Sequence, residues 1–403
     1  MNIVFVSYAY WPPHFGGELL LTIERLQALA QRGHGVAVLT SGNPGFPSRE
    51  EDGGLRILRS PVVGTGRPAR LLRRIVFFLW SLWHLRRLPC DALHLGGMPG
   101  VEVWTDALAA WAYGRLAKAK GARTVAVHAL AESEEEAWST KGLQGVWKGL
   151  YFRRVDHIVA VSPSLYEPLA RWKRDKAVLI LNAVRDDIFK PLSAEERQRV
   201  RAEHGAGEGD VVFTFLGTVC RRKGFDLLAE AFVPLALQHA NWRLWVIGPR
   251  NYADSQNLRD EEAQAVMAPL RGLDAQVRYF GRVDDRAELA RLLGAGDVFV
   301  FPSRREGFGL APVEAMAAGV PVIIARIPGV TDLANLDEET GLYVPLDDAE
   351  ALRQAMERLG SDPALRRRMG QRAVQRVREA FSWEPYVDRW ERLYRYGYVE
   401  SER

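Results

Sequence analysis

Cysteine is nearly absent from this chain: its 403 residues include only two, Cys90 and Cys220. Two thiols so far apart in sequence form neither a disulfide framework nor a zinc site by themselves. The scarcity excludes the class of small secreted proteins held together by disulfides, and it favours a reducing compartment. We therefore expect a cytoplasmic protein.

Long apolar runs are absent as well. No run reaches the roughly 18 apolar residues that a membrane-spanning helix needs. The N-terminus, MNIVFVSYAY, has neither the basic first region nor the long apolar second region of a secretory signal. The sequence therefore predicts no spanning helix and no secretory signal.

Metal-binding patterns are the third absence. No two aspartates stand two positions apart, so there is no D-x-D motif, and the 8 histidines form no pairs at helical ligand spacing. Closely spaced carboxylates or imidazoles are what Mg²⁺ and Zn²⁺ sites are usually built from. We expect no metal ion and no other cofactor.

The residues that are present describe a folded protein with an uneven charge. A chain of 403 residues, 47% of them apolar, is expected to form two or three domains. Residues 1–187 hold 24 Lys and Arg against 17 Asp and Glu, whereas residues 188–403 hold 30 against 33. The basic first half indicates an anionic partner, either phosphate, acidic lipid or nucleic acid. Nucleic acid is not expected, because apolar residues interrupt the basic patch.

Short apolar runs alternate with amphipathic segments along both halves of the chain. This alternation predicts two doubly wound, Rossmann-like α/β domains that face each other across a cleft. The first domain is expected at 1–187, with a C-terminal helix at 382–403 packing back on it, and the second at 188–381. The predicted strands are 2–7, 35–40, 91–95, 124–128, 157–162, 211–217, 242–249, 277–283, 297–303, 320–325 and 341–345.

The stretch EGFGLAPVE sets two acids, Glu306 and Glu314, around a loop that leaves a buried strand and enters a helix. Pro312 is expected at the first helical position, where its missing N–H costs nothing. Gly307 and Gly309 allow close approach of the backbone to a ligand, and the helix N-terminus favours an anion. The pattern indicates a pocket for a phosphate flanked by hydroxyl-bearing rings. The alternative is that Glu314 only stabilises the first turn of its helix.

Two glutamates separated by seven residues are also the hallmark of a known family. Gly16 and Gly17 after the first strand, the linker LNAVRDDIFKP (181–191) and the closing FSWE…LY fit the same family. Over nearly its whole length the chain resembles the retaining glycosyltransferases of the GT-B fold, glycosyltransferase family 4 (glycosyl transferases group 1). The resemblance implies an enzyme that moves a sugar from a nucleotide-diphosphate sugar to an acceptor hydroxyl.

The resemblance also implies roles for individual residues. Glu314 is expected to bind the ribose hydroxyls of the donor, Glu306 the hydroxyls of the transferred sugar, and His128 the same sugar. A lone histidine at a strand end is otherwise simply packed or solvated. Main-chain contacts to the sugar and phosphates are expected from Phe308, Gly309 and Leu310. Gly16 and Gly17 are expected to let the first loop close over the diphosphate.

A diphosphate site is expected in FLGTVCRRKGFDLL, where the family pattern is G-R-x4-K-G. This chain keeps Gly217 and Lys223 but has Thr218 in place of the arginine, so Arg222 is expected to supply the missing charge. The alternative is a solvated basic turn. The main chain near Arg282 and Val283 is expected to bind the nucleotide base of the donor. Because side chains then do not reveal the base, uracil and guanine both remain open.

The family's mechanism is described as front-face retention, in which a phosphate oxygen takes the acceptor's proton and no metal is needed. The expected partners are a nucleotide-sugar donor and an acceptor glycan or lipid-linked sugar. Two alternatives remain: a sugar-nucleotide epimerase on a similar fold, and a non-catalytic scaffold.

The segment 67–89 has six arginines and no acids around an apolar run with two tryptophans. The run is too short to span a membrane and suits an interfacial or buried helix. Docking on the anionic inner face of the cell membrane is expected, because the apolar residues wrap around the helix. The alternative is a core helix with solvated arginines.

Overall fold

The computed structural model describes residues 1–8, 17–64, 70–96, 104–128, 153–250 and 260–398. Two compact units make up the chain: Met1–Leu181 with Glu384–Arg403, and Asn182–Trp383. These boundaries fall six residues before the predicted 187/188 border and two residues after the predicted 381/382 border. Among the described residues, no helix combines the length and apolar character needed to cross a membrane.

The first unit is built on an eight-stranded sheet. Its strands are β1 (Asn2–Ser7), β2 (Gly35–Thr40), β3 (Arg49–Asp52), β4 (Leu55–Arg59), β5 (Ala92–Leu95), β6 (Arg123–His128), β7 (His157–Ala160) and β8 (Ala177–Leu179). Their order is β3-β4-β2-β1-β5-β6-β7-β8, and every pair is parallel except β3 with β4. The described helices are α1 (Gly17–Gln31), α2 (Arg70–Arg87), α3 (Trp104–Ala119) and α4 (Pro163–Lys173).

The second unit has a six-stranded, all-parallel sheet. Its strands are β9 (Val211–Leu216), β10 (Trp242–Ile247), β11 (Val277–Gly281), β12 (Val298–Phe301), β13 (Val322–Ala325) and β14 (Gly341–Val344). Their order is β11-β10-β9-β12-β13-β14. The described helices are α5 (Ala194–Glu203), α6 (Phe225–Gln238), α7 (Asp260–Met267), α8 (Arg286–Gly294), α9 (Leu310–Ala317), α10 (Ala349–Ser361) and α11 (Pro363–Ala380), and α12 (Trp383–Tyr396) returns to the first unit.

The apolar runs predicted as strands are strands, because side chains on both faces of a parallel sheet are buried and need no alternation. Three strands, β3, β4 and β8, have no counterpart among the predicted strands. β3 is the sequence REED, an exposed edge strand whose polar residues give no apolar signal. Helices α10 and α11 cover one face of the second sheet's core through residues such as Met356 and Met369.

The C-terminal helix is held to the first unit by a buried arginine. Arg25 on α1 donates from Nη1 to the hydroxyl of Tyr386 at 2.5 Å, and its guanidinium lies 3.6 Å from the ring centroid of Trp390. The hydroxyl of Tyr394 lies 2.6 Å from Nδ1 of His94 on β5. Burial and the nearby Arg25 lower the pKa of His94 well below its ordinary value, so this imidazole is neutral.

A buried aspartate joins α5 to the second sheet at the end opposite the candidate site. The carboxylate of Asp297 accepts from Arg197 at 2.7 Å, from Arg201 at 2.9 Å and from the backbone N–H of Val212 at 2.8 Å. Burial acts to raise the pKa of Asp297, but the two arginines and the hydrogen bonds outweigh it and hold this pKa below the ordinary value. The charged form is therefore the one that stabilises the fold.

We predict that Asp297→Asn lowers the free energy of unfolding by about 3 kcal/mol at pH 7, because it leaves the buried guanidinium of Arg201 and the partly exposed one of Arg197 without a counter-charge. A carboxyl with a lowered folded-state pKa stabilises above its unfolded pKa of about 3.9 and loses that effect as pH falls. The gap between variant and wild type in urea unfolding should therefore narrow below pH 4. Glu338→Gln, which breaks an exposed pair with Arg358, is the control and should cost less than about 0.5 kcal/mol. A constant gap from pH 7 to pH 3 would contradict this account.

Candidate active site

The second sheet has a topological switch point between β9 and β12. From β9 the chain adds β10 and β11 on one side, and it then returns to add β12, β13 and β14 on the other. The loops that follow β9 and β12 therefore leave the carboxyl edge of the sheet side by side. Ligands of open α/β sheets bind at such points. Both predicted charged motifs lie on these two loops, so the fold brings them together.

Lys223 and Glu306 are in direct contact at this point. Nζ of Lys223 donates to Oε1 of Glu306 at 2.6 Å, and the hydroxyl of Ser303 donates to the same oxygen at 2.6 Å. Nη1 of Arg222 lies 3.9 Å from that oxygen. The side chains of Lys223 and Glu306 are 16% and 10% exposed. The site thus contains a carboxylate and two cations with limited access to water.

The two loops also touch through their backbones. Gly224 has φ +69°, and a Cβ at this position would lie 1.9 Å from the carbonyl oxygen of Pro302. The N–H of Arg304 donates to the carbonyl of Arg222 at 2.9 Å. Glycine is therefore required at 224 both for its left-handed backbone and for the close approach of the second loop.

The helix after the second loop begins two residues earlier than predicted. Leu310 is the first residue of α9, with Gly309 at φ +86° as its N-cap, so Pro312 is the third residue and not the first. Proline is tolerated there because the N–H groups of the first turn have no partner within the helix. Glu314 consequently lies in the second turn, which corrects the expectation that it sits in the first. No side chain of the described residues caps α9, so its first amides remain available to an anion.

Glu314 has a partner that the sequence did not reveal. Its Oε1 lies 2.8 Å from Nη1 of Arg286, and the two side chains are 7% and 18% exposed. Arg286 is the first residue of α8, whose N-cap is Asp285, and its guanidinium lies 4.6 Å from the ring centroid of Phe189. The available signal was the capping pattern D-R-A-E after β11, which places Arg286 near the same sheet edge.

The other predicted residues of the second unit lie at the same edge. Gly217 and Thr218 follow β9, and the side chain of Lys223 would lie 3.7 Å from a Cβ on Gly217. Arg282 and Val283 follow β11, and Nε of Arg282 donates to Asp284 at 2.5 Å. Phe308 is buried, and its ring centroid lies 5.8 Å from that of Phe381, so its side chain packs inside the second unit.

In the first unit, the predicted residues are only partly described. Gly17 begins α1 and His128 ends β6, where it pairs with Ala160. Gly16 and the side chain of His128 lie outside the described residues. Within the described ranges, no three His, Cys, Asp or Glu side chains cluster as ligands for a metal ion.

The fold is shared with solved glycosyltransferase structures. Sucrose-phosphate synthase from Thermosynechococcus elongatus superposes with a TM-score of 0.78 at 25% identity, covering 98% of both chains. The GT-B fold consists of two units, each built on a doubly wound sheet. Its C-terminal helix returns from the second unit to the first unit. This chain has that fold.

Two family models match the sequence itself. Residues 24–183 match a glycosyl transferase 4-like domain, and residues 196–376 match glycosyl transferases group 1. D-rhamnosyltransferase WbpZ of Pseudomonas aeruginosa is 32% identical over 58% of this chain and 57% of its own length. Lipopolysaccharide core biosynthesis mannosyltransferase LpcC of Rhizobium leguminosarum is 36% identical over 42% of this chain and 46% of its own length. The chain thus spans about half the length of these curated relatives, and it belongs to the glycosyl transferases group 1 family.

The ribose role of Glu314 stays a prediction with a direct test. We expect Glu314→Gln to weaken binding of the best of UDP, GDP, ADP and CDP by about tenfold, because hydrogen bonds to a charged acceptor are worth about 1.5–3 kcal/mol. A 2′,3′-dideoxy form of that nucleotide should bind variant and wild type equally in calorimetric titrations. Glu338→Gln is the matched control for loss of an arginine-paired carboxylate. Equal affinity of Glu314→Gln and wild type for the ribonucleotide would refute the assignment.

Proposed function

We propose that this chain transfers a sugar from a nucleotide-diphosphate sugar to an acceptor hydroxyl, with retention of anomeric configuration and without a metal ion. The observation that supports it is the contact of Lys223 with Glu306 at the switch point of the second unit. Such a site offers cations for a diphosphate and a carboxylate for sugar hydroxyls. The cation Lys223 and the carboxylate of Glu306 are joined by one hydrogen bond.

In this proposal the protein contributes charge stabilisation and positioning. Negative charge grows on the leaving diphosphate, and Lys223, Arg222 and the free amides of α9 stabilise it. Glu306 accepts hydrogen bonds from the sugar and fixes its orientation. The acceptor hydroxyl attacks on the side from which the phosphate departs, and a phosphate oxygen takes its proton. Fixed cations thereby supply the stabilisation that a divalent metal supplies elsewhere.

The family favours a transferase over the two alternatives. WbpZ and LpcC are named as sugar transferases, the latter of lipopolysaccharide core biosynthesis. We propose an acceptor of the same broad kind, a glycan or a lipid-linked sugar. An epimerase would turn over its sugar nucleotide with no acceptor, and a scaffold would bind none.

We predict that one of UDP, GDP, ADP and CDP raises the melting temperature by a few degrees in the presence of EDTA. A ligand at 100 times its dissociation constant adds about 2.7 kcal/mol to stability, which corresponds to a few degrees for units of this size. The shift should be the same when Mg²⁺ replaces EDTA. A shift seen only with Mg²⁺ would contradict metal independence, and no shift with any of the four would refute the donor site.

A membrane-docking surface is the second part of the proposal, and α2 supplies its apolar residues. One face of α2 is buried, where the hydroxyl of Ser81 lies 2.5 Å from that of Tyr113 and Phe77 and Leu85 enter the core. The opposite face exposes five large apolar side chains. They are Leu71, Leu72, Ile75, Leu79 and Trp83, which we call the α2 stripe.

Arginines from three elements lie near the C-terminal end of the α2 stripe. Arg86 and Arg87 are exposed on α2, and the guanidinium of Arg87 lies 3.6 Å from the ring centroid of Trp83. Burial lowers the pKa of His84, and the charges of Arg49 and Arg56 from the β3–β4 edge lower it further together with that of Arg87. Apolar residues beside clustered arginines suit an anionic lipid surface. We propose that the stripe rests on the inner face of the cell membrane.

Vesicle sedimentation tests this surface. The wild type should pellet with vesicles containing phosphatidylglycerol and remain in solution with pure phosphatidylcholine. Arg86→Glu with Arg87→Glu should lower the partition coefficient at least tenfold, since each basic residue near the surface contributes about 1 kcal/mol. The exposed pair Arg367 and Arg368 on α11, changed to Glu in the same way, is the matched control. Equal pelleting of both double variants would refute docking through α2.

A further inference from the structure

One side chain outside the predicted site links the two loops that form it. Arg304 lies on the loop after β12, between Ser303 and Glu306. The hydroxyl of Ser303 donates a hydrogen bond to the carboxylate of Glu306. In the sequence Arg304 is one of the two arginines of R-R-E, and no role was predicted for it. Its contacts reach the loop after β9 and a third segment after β14.

The guanidinium of Arg304 is engaged on three sides. Nη1 and Nη2 donate to the two carboxylate oxygens of Asp226 at 2.7 and 3.0 Å, and Nε donates to Asp347 at 2.5 Å. Nη1 also donates to the carbonyl of Arg221. The backbone N–H of Arg304 donates to the carbonyl of Arg222 at 2.9 Å. All three guanidinium nitrogens donate to acceptors on neighbouring segments, so Arg304 ties these segments together.

The acids that hold Arg304 come from positions that matter for the site. Asp226 is the second residue of α6 and directly follows the turn of Arg221–Lys223, Gly224 and Phe225. Asp347 has φ +59°, one of two non-glycine residues with positive φ in the described chain. Aspartate is among the few non-glycine residues that adopt this backbone conformation readily. The ion pair with Arg304 joins this segment to the loop after β12.

We propose that Arg304 is a positioning residue that holds Arg222 and Lys223 against Glu306. The inference rests on the proposed function, because it concerns the cations assigned to the donor diphosphate. A planar guanidinium that bridges two carboxylates fixes direction as well as distance, and an ammonium cannot reproduce that geometry. Small displacements of catalytic groups cost large factors in rate, so a residue that fixes the loop has consequences without touching substrate.

The matched control is a second bidentate pair in the same unit. Arg358 donates to both oxygens of Glu338 at 2.6 Å each, on segments outside the site. Arg358→Ala therefore removes a guanidinium–carboxylate pair of similar geometry and greater exposure. Any effect of Arg304→Ala that Arg358→Ala lacks is specific to the loops.

The experiment measures binding of nucleoside diphosphate and monophosphate by calorimetry, using UDP and UMP, GDP and GMP, ADP and AMP, and CDP and CMP. Arg304→Ala should weaken the diphosphate by about tenfold and the monophosphate by less than about twofold, because the displaced cations serve the terminal phosphate. Arg304→Lys should behave like Arg304→Ala. Guanidinium chloride at low, non-denaturing concentration should restore diphosphate binding to Arg304→Ala and have no such effect on Lys223→Ala.

The outcomes distinguish failure of the positioning role of Arg304 from failure of the proposed function. If the wild type binds a diphosphate and Arg304→Ala binds it equally, the positioning role is wrong and the proposed function stands. If Arg304→Ala loses both nucleotides in parallel with its melting temperature and guanidinium restores neither, its role is general stability and the inference is also wrong. If the wild type binds no diphosphate, the proposed function fails and the role of Arg304 fails with it.

Discussion

The pairing of β9 with β12 is the constraint on which the candidate site depends. Phe213 pairs with Val298 and Thr214 with Phe299, in parallel, although these strands are separated by β10 and β11 along the chain. Parallel strands end at the same edge, so this pairing alone brings Lys223 within 2.6 Å of Glu306 across 83 positions of sequence. A different strand order would leave both motifs intact and the site unformed.

The charged side chains at this edge are paired with one another. Glu306 pairs with Lys223, Glu314 with Arg286, and Arg304 with two aspartates. Partly buried carboxylates without such partners would be costly, because removing a charge from water is repaid only by a well-placed counter-charge. In the proposed function the donor competes for Lys223 and Arg286 as it binds, so recognition of phosphate and ribose is tied to a rearrangement of these ion pairs.

The same balance between burial and counter-charge governs the rest of the molecule. Asp297 is charged because two arginines outweigh its burial, whereas His94 is neutral because burial and Arg25 act in the same direction. On α2 the balance is between two faces: Phe77 and Leu85 are buried, while Leu79 and Trp83 remain exposed beside arginines. The sequence left a core position and a surface position as alternatives for this helix. In the structure one face of the helix lies in the core and the other lies on the surface.

Local sequence was sufficient for most strands, because continuous apolar runs are a property of neighbouring residues. It missed β3, whose polar residues carry no apolar signal, and it placed the start of α9 two residues late because Gly309 caps it without a side chain. The ion pairs of Arg286 and Arg304 could not be inferred, since their acids lie on other elements and only the strand order brings them together. The sequence by itself determined the chemistry available at the sheet edge; the tertiary structure alone decided which charges meet there, because ion pairs depend on distance in space and not along the chain.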